Sequence, residues 1–266
     1  MILRDEPSYK IMMLDGKLHP SGLFSNVLVL LENLILREAN ELFYVNLGSG
    51  SLYWDMKFGK NAWEYYFTQP DSQIVLSEIA KTRNTIESGF LFRNKGLLDF
   101  SSENSKYEIS LKQASILFGS VFDFNDDTSA FLKSNYNEIF PKGDTVGVHR
   151  RQTDSPFVPP IEAFFCKVDP FVDKGFSVFL ATDSKEALVK FKKRYGAKLY
   201  FTRSHRSNSM TAIHTSKSRF RSPAIVGRDV VLDSYLLSRC QYLLRTRSNV
   251  TTFTRILNLN MPWSEI

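Results

Sequence analysis

Residues 145–257 alternate between short apolar runs and longer amphipathic stretches with a regularity that few folds accommodate. TVGVH (145–149) and SVFLATD (177–183) read as buried strands, and KLYFT (198–202) and QYLLRT (241–246) repeat the pattern. Pro160 suits the first turn of a helix running to about Lys174. Asp183 and Glu186 have the spacing of a capping box for a helix over 184–195, which Gly196 ends. A polar, basic loop over 203–226 leads to a helix over 228–240. Ser248 or Asn249 caps a last helix reaching about Leu257. The order β-α-β-α-β-loop-α-β-α predicts a Rossmann-like, doubly wound parallel sheet.

The N-terminal half begins in the same way. The apolar run from Lys10 to Leu14 predicts a strand, and DGKLHPSG a turn. Leu23, Val27, Leu30, Leu31 and Leu34 stand at helical spacing, and LFYVNL (42–47) predicts the next strand. This is a second βαβ unit, and it predicts parallel pairing. Residues 50–140 are less regular. Their aromatic cluster (Tyr53, Trp54, Trp63, Tyr65, Tyr66, Phe67) is expected to pack in the core, with stacking on sugar rings the alternative. A boundary near FPKGD at residue 140 divides the chain into 1–140 and 141–266. The fold class expected is α/β, with two Rossmann-like lobes facing a cleft.

Composition narrows the function. With 43% hydrophobic and 23% charged residues, the 266-residue chain is that of a globular protein. Cys166 and Cys240 both sit in apolar helical patterns and read as buried free thiols. MILRDEPSYK carries no secretory h-region, and the apolar stretch Val27–Leu36 is too short to span a bilayer and is broken by Glu32 and Asn33. A soluble, cytoplasmic protein is expected. The net charge of +6 is local: residues 190–222 hold ten Lys or Arg and no acid, and the remaining residues hold 24 basic and 28 acidic ones. Such a field suits an anionic ligand, with a nucleic acid as one alternative.

In a doubly wound sheet, ligands bind beyond the carboxyl ends of the strands. Those ends here carry His149-Arg150-Arg151-Gln152-Thr153-Asp154, then Asp183, then the basic loop with His205 and His214, then Arg247-Ser248-Asn249. Arginine is suited to bidentate phosphate contacts. The chain has no GxxxxGK[ST], no GxGxxG after these strands, no Asp-x-Asp and no zinc-ligand spacing among four histidines and two cysteines. Charge on a phosphate would therefore be met by arginine and by helix N-terminal amides.

GVHRRQTD (147–154) resembles the His-x-Arg-Arg-x-Asp motif of the GDP-fucose-dependent fucosyltransferases. PIEAFF, VFLATDSKEAL, DVVLDSYLLSRCQYLL and RSNVTTFTRI are similar to the later blocks of the core α1,6 and rhizobial nodulation branch. The likeness covers roughly 145–258. It implies an inverting, metal-independent glycosyltransferase whose donor, GDP-fucose, is bound by the C-terminal lobe while the N-terminal lobe takes a glycan or glycoconjugate acceptor. It implies no cofactor besides the donor, and no nucleic acid. Arg151 falls on the motif arginine that contacts the diphosphate, and His149 on the motif histidine. Asp183 and Asp233 fall in the guanosine-binding region, and Ser248 and Asn249 on the phosphate-holding turn.

The candidate catalytic set is thus Arg151, His149 and, as a candidate base, Asp154. The donor-binding set is Arg150, Asp183, His214, Arg219, Asp233, Arg247, Ser248 and Asn249. One position departs from the motif: Gln152 stands where the second arginine belongs, and Arg150 stands one place ahead of Arg151, on the opposite side of a strand. Another GDP-sugar, a protein that binds GDP without turnover, and a nucleic-acid-binding module acting through 190–222 remain the alternatives.

Overall fold

The computed structural model describes residues 10–15, 21–73, 97–98, 105–153, 158–208 and 221–266. In the N-terminal half, β1 (Lys10–Asp15) and β2 (Glu41–Asn46) pair in parallel, with Lys10 opposite Glu41 and Asp15 opposite Asn46. They are joined by α1 (Leu23–Ile35). α1 buries Leu23, Phe24, Val27, Leu30, Leu31 and Leu34, and also Asn26, Glu32 and Asn33, so it is covered on more than one side. Its buried polar groups are satisfied: Glu32 accepts the Leu98 amide at 2.9 Å, and Asn33 donates to the Val29 carbonyl at 2.8 Å.

Among the described residues that follow are two helices, α2 (Ser105–Ser120) and α3 (Asp126–Ile139). Gly119, at φ 101°, departs from the helical path near the end of α2. Asn125 caps α3 by accepting from the Thr128 amide at 2.9 Å.

The C-terminal half is a five-stranded sheet in the order β5-β4-β3-β6-β7, with every pair parallel. Its elements are β3 (Thr145–Arg150), α4 (Ile161–Asp173), β4 (Ser177–Thr182), α5 (Lys185–Tyr195), β5 (Leu199–Tyr200), α6 (Pro223–Leu237), β6 (Tyr242–Arg245), α7 (Asn249–Leu257) and β7 (Trp263–Glu265). The chain runs outward from β3 through β4 to β5, then returns across β3 to β6. The order therefore reverses between β3 and β6, the position at which doubly wound sheets open a crevice.

One apolar layer covers each face of this sheet. Val146, Val148, Val178, Leu180 and Leu244 pack on Ile161, Phe164 and Val168 of α4 and Ala187, Leu188 and Phe191 of α5. The other face joins a cluster reaching from Met12 to Met261, which takes in α1, Trp63, Tyr66, Phe67, α6 and α7. The aromatic segment is thus largely core: Trp63, Tyr66 and Phe67 are fully buried. Gly147 lets β3 lie against α6, since a Cβ there would stand 2.9 Å from Cys240 Sγ and 3.1 Å from Leu237.

Several expectations are corrected. α6 starts at Pro223 rather than at residue 228 and ends at Leu237, with proline in its first turn where the missing N–H costs nothing. The third strand shrinks to Leu199–Tyr200. Ser184, not Asp183, caps α5, accepting from the Ala187 amide at 3.2 Å. Cys166 is exposed, on the outer side of α4; Cys240 is buried. β7 adds a strand beyond those the pattern predicts. It is held by β6, and the Arg245 and Arg255 guanidinium groups lie over its Trp263 ring at 4.2 and 4.6 Å.

Candidate functional site

A cavity of about 580 Å³ lies at the carboxyl edge of the five-stranded sheet. Its sheet side is formed beyond β3, β4 and β6 by His149, Arg151, Asp183 and the segment Thr246–Val250. α6 contributes Asp229 and Asp233. The N-terminal half adds Ser21 to Ser25, at the start of α1, and Tyr53, and Ser204, His205 and Glu265 join the lining from the C-terminal half. The size is that of a small-molecule site.

The turn leaving β3 is fixed amide by amide. The Arg151 N–H donates to Thr246 Oγ1 at 3.2 Å, and the Thr246 N–H donates to the His149 carbonyl at 3.1 Å. The Gln152 N–H donates to Asp183 Oδ1 at 2.8 Å. Asp183 Oδ2 accepts from the Thr153 N–H at 3.1 Å and its hydroxyl at 2.5 Å. Strand alternation puts His149 and Arg151 on the cavity side. Arg150 faces the other way. It is buried over the Phe164 ring at 5.5 Å and donates to the Gln152 side-chain carbonyl. Burial lowers its pKa, with nearby Asp183 opposing the shift. Of the two consecutive arginines, only Arg151 lines the cavity.

His149 is held neutral. Burial, with Arg151 and Arg245 close by, pushes it down to about 3. It supplies a polar but uncharged edge to the cavity floor. Across β6, Ser248 caps α7, its Oγ accepting from the Thr251 amide at 3.2 Å. Asn249 and Val250, in the first turn of α7, line the cavity, so the positive end of the helix dipole faces it. Arg247 sits at the rim, paired with Glu265 at 2.6 Å.

The α6 side is acidic. Asp233 Oδ1 accepts from Thr202 Oγ1 at 2.6 Å. Burial pushes Asp233 up to about 6 against the pull of Arg206. Asp229 is also raised by burial, and it pairs with Arg221 at 2.6 Å. Arg206 donates to the carbonyls of Ser204 at 2.9 Å and Thr202 at 3.0 Å, tying down the turn after β5. The cavity therefore has a cationic end at Arg151 and α7, suited to a phosphate, and an acceptor end at Asp233, suited to N–H or hydroxyl donors.

The structure brings His149, Arg151, Asp183, Asp233, Arg247, Ser248 and Asn249 together around this cavity. Arg150 is not with them, because it belongs to the opposite face of β3. Asp154, His214 and Arg219 lie outside the described residues. Sequence reasoning placed Tyr53 chiefly in the core, with stacking on sugar rings the alternative, and missed Asp229, Glu265 and the start of α1. For the last, the turn DGKLHPSG ahead of an apolar helix was the available signal.

Among the described residues of the basic segment, several cations have separate partners. Lys190 pairs with Glu186 at 2.7 Å, Arg194 with Asp169, Arg221 with Asp229, and Lys198 donates to the Val172 carbonyl at 3.1 Å. Among the described residues no group of His, Cys, Asp and Glu is arranged to hold a metal ion, and no helix is long and apolar enough to cross a membrane.

Among the described residues the chain pairs a two-stranded with a five-stranded parallel sheet, and the cavity lies beyond the strands of the larger one. Solved structures narrow the fold. The crystal structure of NodZ α-1,6-fucosyltransferase soaked with GDP-fucose matches with a TM-score of 0.57 at 17% identity, covering 94% of this chain and 92% of that one. NodZ from Bradyrhizobium matches with a TM-score of 0.57 at 16% identity, covering 94% and 93%. POFUT1 in complex with GDP matches with a TM-score of 0.55 at 11% identity, covering 98% of each chain. The chain shares the fold of these proteins. No protein-family model and no curated protein sequence matches it.

Proposed function

We propose that this protein is a glycosyltransferase that moves fucose from GDP-fucose to a glycan or glycoconjugate acceptor. The observation that carries this reading is the convergence of Arg151 and the first turn of α7 on one cavity, in a fold shared with proteins whose crystals were soaked with GDP-fucose or solved in complex with GDP. Arg151 and the amides of Asn249 and Val250 take the diphosphate. Asp233 accepts from the guanine N–H groups, with Thr202 donating to its Oδ1 and the Arg206 charge nearby. His149 stays uncharged beside the diphosphate. Residues 141–266 hold the donor, and residues 1–140 supply the wall against which the acceptor is placed.

Departure of GDP leaves growing negative charge on the β-phosphate and oxocarbenium character on the sugar. Arg151 and the α7 amides are fixed before the reaction, so they bind the departing diphosphate more tightly than the intact donor. One contact of this kind is worth about 10²–10³ in rate. The same groups account for a metal-independent reaction, since the charge is met by a guanidinium and a helix terminus. Attack by the acceptor hydroxyl from the face opposite the leaving group forms the new C–O bond as the bond to GDP breaks, the hydroxyl proton passes to water, and the anomeric centre is inverted.

The test is transfer. The protein is incubated with GDP-fucose, GDP-mannose or a UDP-sugar and a panel of glycan acceptors in EDTA, and products are read by mass spectrometry and by NMR of the new anomeric centre. Fucose transfer with inverted configuration is expected. Use of a UDP-sugar, or no transfer from any GDP-sugar, would contradict the reading.

A further inference from the structure

β3 lies between β4 and β6, and each neighbour contributes one residue just past its carboxyl end to the turn that leaves β3. Thr246, beyond β6, takes the Arg151 amide. Asp183, beyond β4, takes the Gln152 amide with one oxygen and the Thr153 amide and hydroxyl with the other. Three consecutive amides are thus bound to side chains of the flanking strands, and Arg151, the first of the three residues, sends its side chain into the cavity. Both oxygens of Asp183 are engaged with the turn.

We propose that Asp183 is a positioning residue: it sets the backbone that carries Arg151, and it acts on the donor through Arg151 rather than by touching the nucleoside. This rests on the reading of the cavity as a GDP-sugar site. A turn that is already ordered presents Arg151 to the diphosphate without further loss of freedom. Leaving one or two of its residues to be ordered on binding corresponds to about 10- to 100-fold in affinity. Asparagine at this position keeps the shape but turns an N–H₂ group toward N–H and O–H donors, so it cannot restore the clamp.

The test compares GDP with guanosine by calorimetry on wild type, Asp183→Asn, Arg151→Ala and the double variant. Asp183→Asn is expected to weaken GDP about tenfold or more and to leave guanosine within about twofold. It is expected to add nothing further in the Arg151→Ala background, because a residue acting through Arg151 is coupled to it. Thr153→Val keeps the carboxylate and removes one donor; it is expected to lower the GDP-to-guanosine affinity ratio by a smaller factor. It carries the comparison if Asp183→Asn fails to fold. Equal weakening of guanosine and GDP, or losses that add in the Arg151→Ala background, would overturn the positioning role and leave the donor site intact. Absence of GDP binding by the wild-type protein would defeat the donor-site reading and this inference with it.

Discussion

The Tyr66 hydroxyl donates to the Ala224 carbonyl at 2.7 Å, tying the aromatic segment of the N-terminal half to the first turn of α6 across 158 positions of sequence. Gly227 makes the approach possible: a Cβ there would stand 2.3 Å from Tyr66 Oη and 2.9 Å from Tyr53 Cδ1. Asp55 accepts from the Ser222 hydroxyl in the same seam. α6 carries Asp229 and Asp233, and Tyr53 lines the facing wall, so this seam sets the shape of the cavity.

Tyr66→Phe should therefore cost about 1 kcal/mol, the net value of one buried hydrogen bond. Gly227→Ala should cost on the order of 1–3 kcal/mol despite the better helix propensity of alanine, because the Tyr66 and Tyr53 rings must move. Denaturant unfolding measures both. A Gly227→Ala variant at least as stable as wild type would contradict the packing described.

Two groups in the cavity act oppositely on stability as pH changes. His149 is pushed down to about 3 from an ordinary 6.5, so between those values the unfolded chain binds the extra proton and stability falls as pH falls. Asp233 is pushed up to about 6 from 3.8, so the folded chain binds the extra proton and stability falls as pH rises through that window. Relative to wild type, His149→Gln should gain stability as pH drops from about 6.5 toward about 3. Asp233→Asn should gain as pH rises from about 4 to about 6. Urea midpoints at closely spaced pH steps test this; parallel curves for all three proteins would count against it.

Arg150 and Arg151 should separate cleanly. Arg150→Leu removes a guanidinium packed on Phe164, so it should alter the unfolding midpoint while leaving GDP affinity within about threefold. A loss with Arg150→Leu as large as that of Arg151→Ala would mean that the two arginines share the ligand.

The cysteines should differ in reactivity. Cys166 is exposed, whereas Cys240 is buried against Gly147 and its thiol is pushed up by burial. A thiol reagent should modify one group in the native protein and two after unfolding. Rapid modification of both in native buffer would show that Cys240 is more accessible than the packing allows.

Much of this was legible in the sequence. The strands TVGVH and SVFLAT and the helices between them predict the parallel order, and the residues just past each strand already assemble His149, Arg151, Asp183 and Ser248. The period of two in β3 also implies that Arg150 and Arg151 diverge. Local pattern could not show what arrives from far along the chain. The wall at Ser21–Ser25 and Tyr53 meets residues more than a hundred positions away, through packing at Gly227 and Tyr66. The spacing of Asp183 to Glu186 fits a helix cap, yet Ser184 fills that position, and Asp183 is committed to the turn after β3. Three-residue β7 has too little sequence to show a period and exists through its pairing with β6. In α4, Ile161, Phe164 and Val168 define the buried face, and that spacing alone places Cys166 on the outside.

The most direct test of the central claim is calorimetric titration of the protein with GDP and UDP in EDTA, for wild type and Arg151→Ala. GDP is expected to bind in EDTA, UDP far more weakly, and Arg151→Ala to lose about 2–4 kcal/mol of GDP affinity. Equal binding of GDP and UDP, or GDP binding unaffected by Arg151→Ala, would contradict the claim.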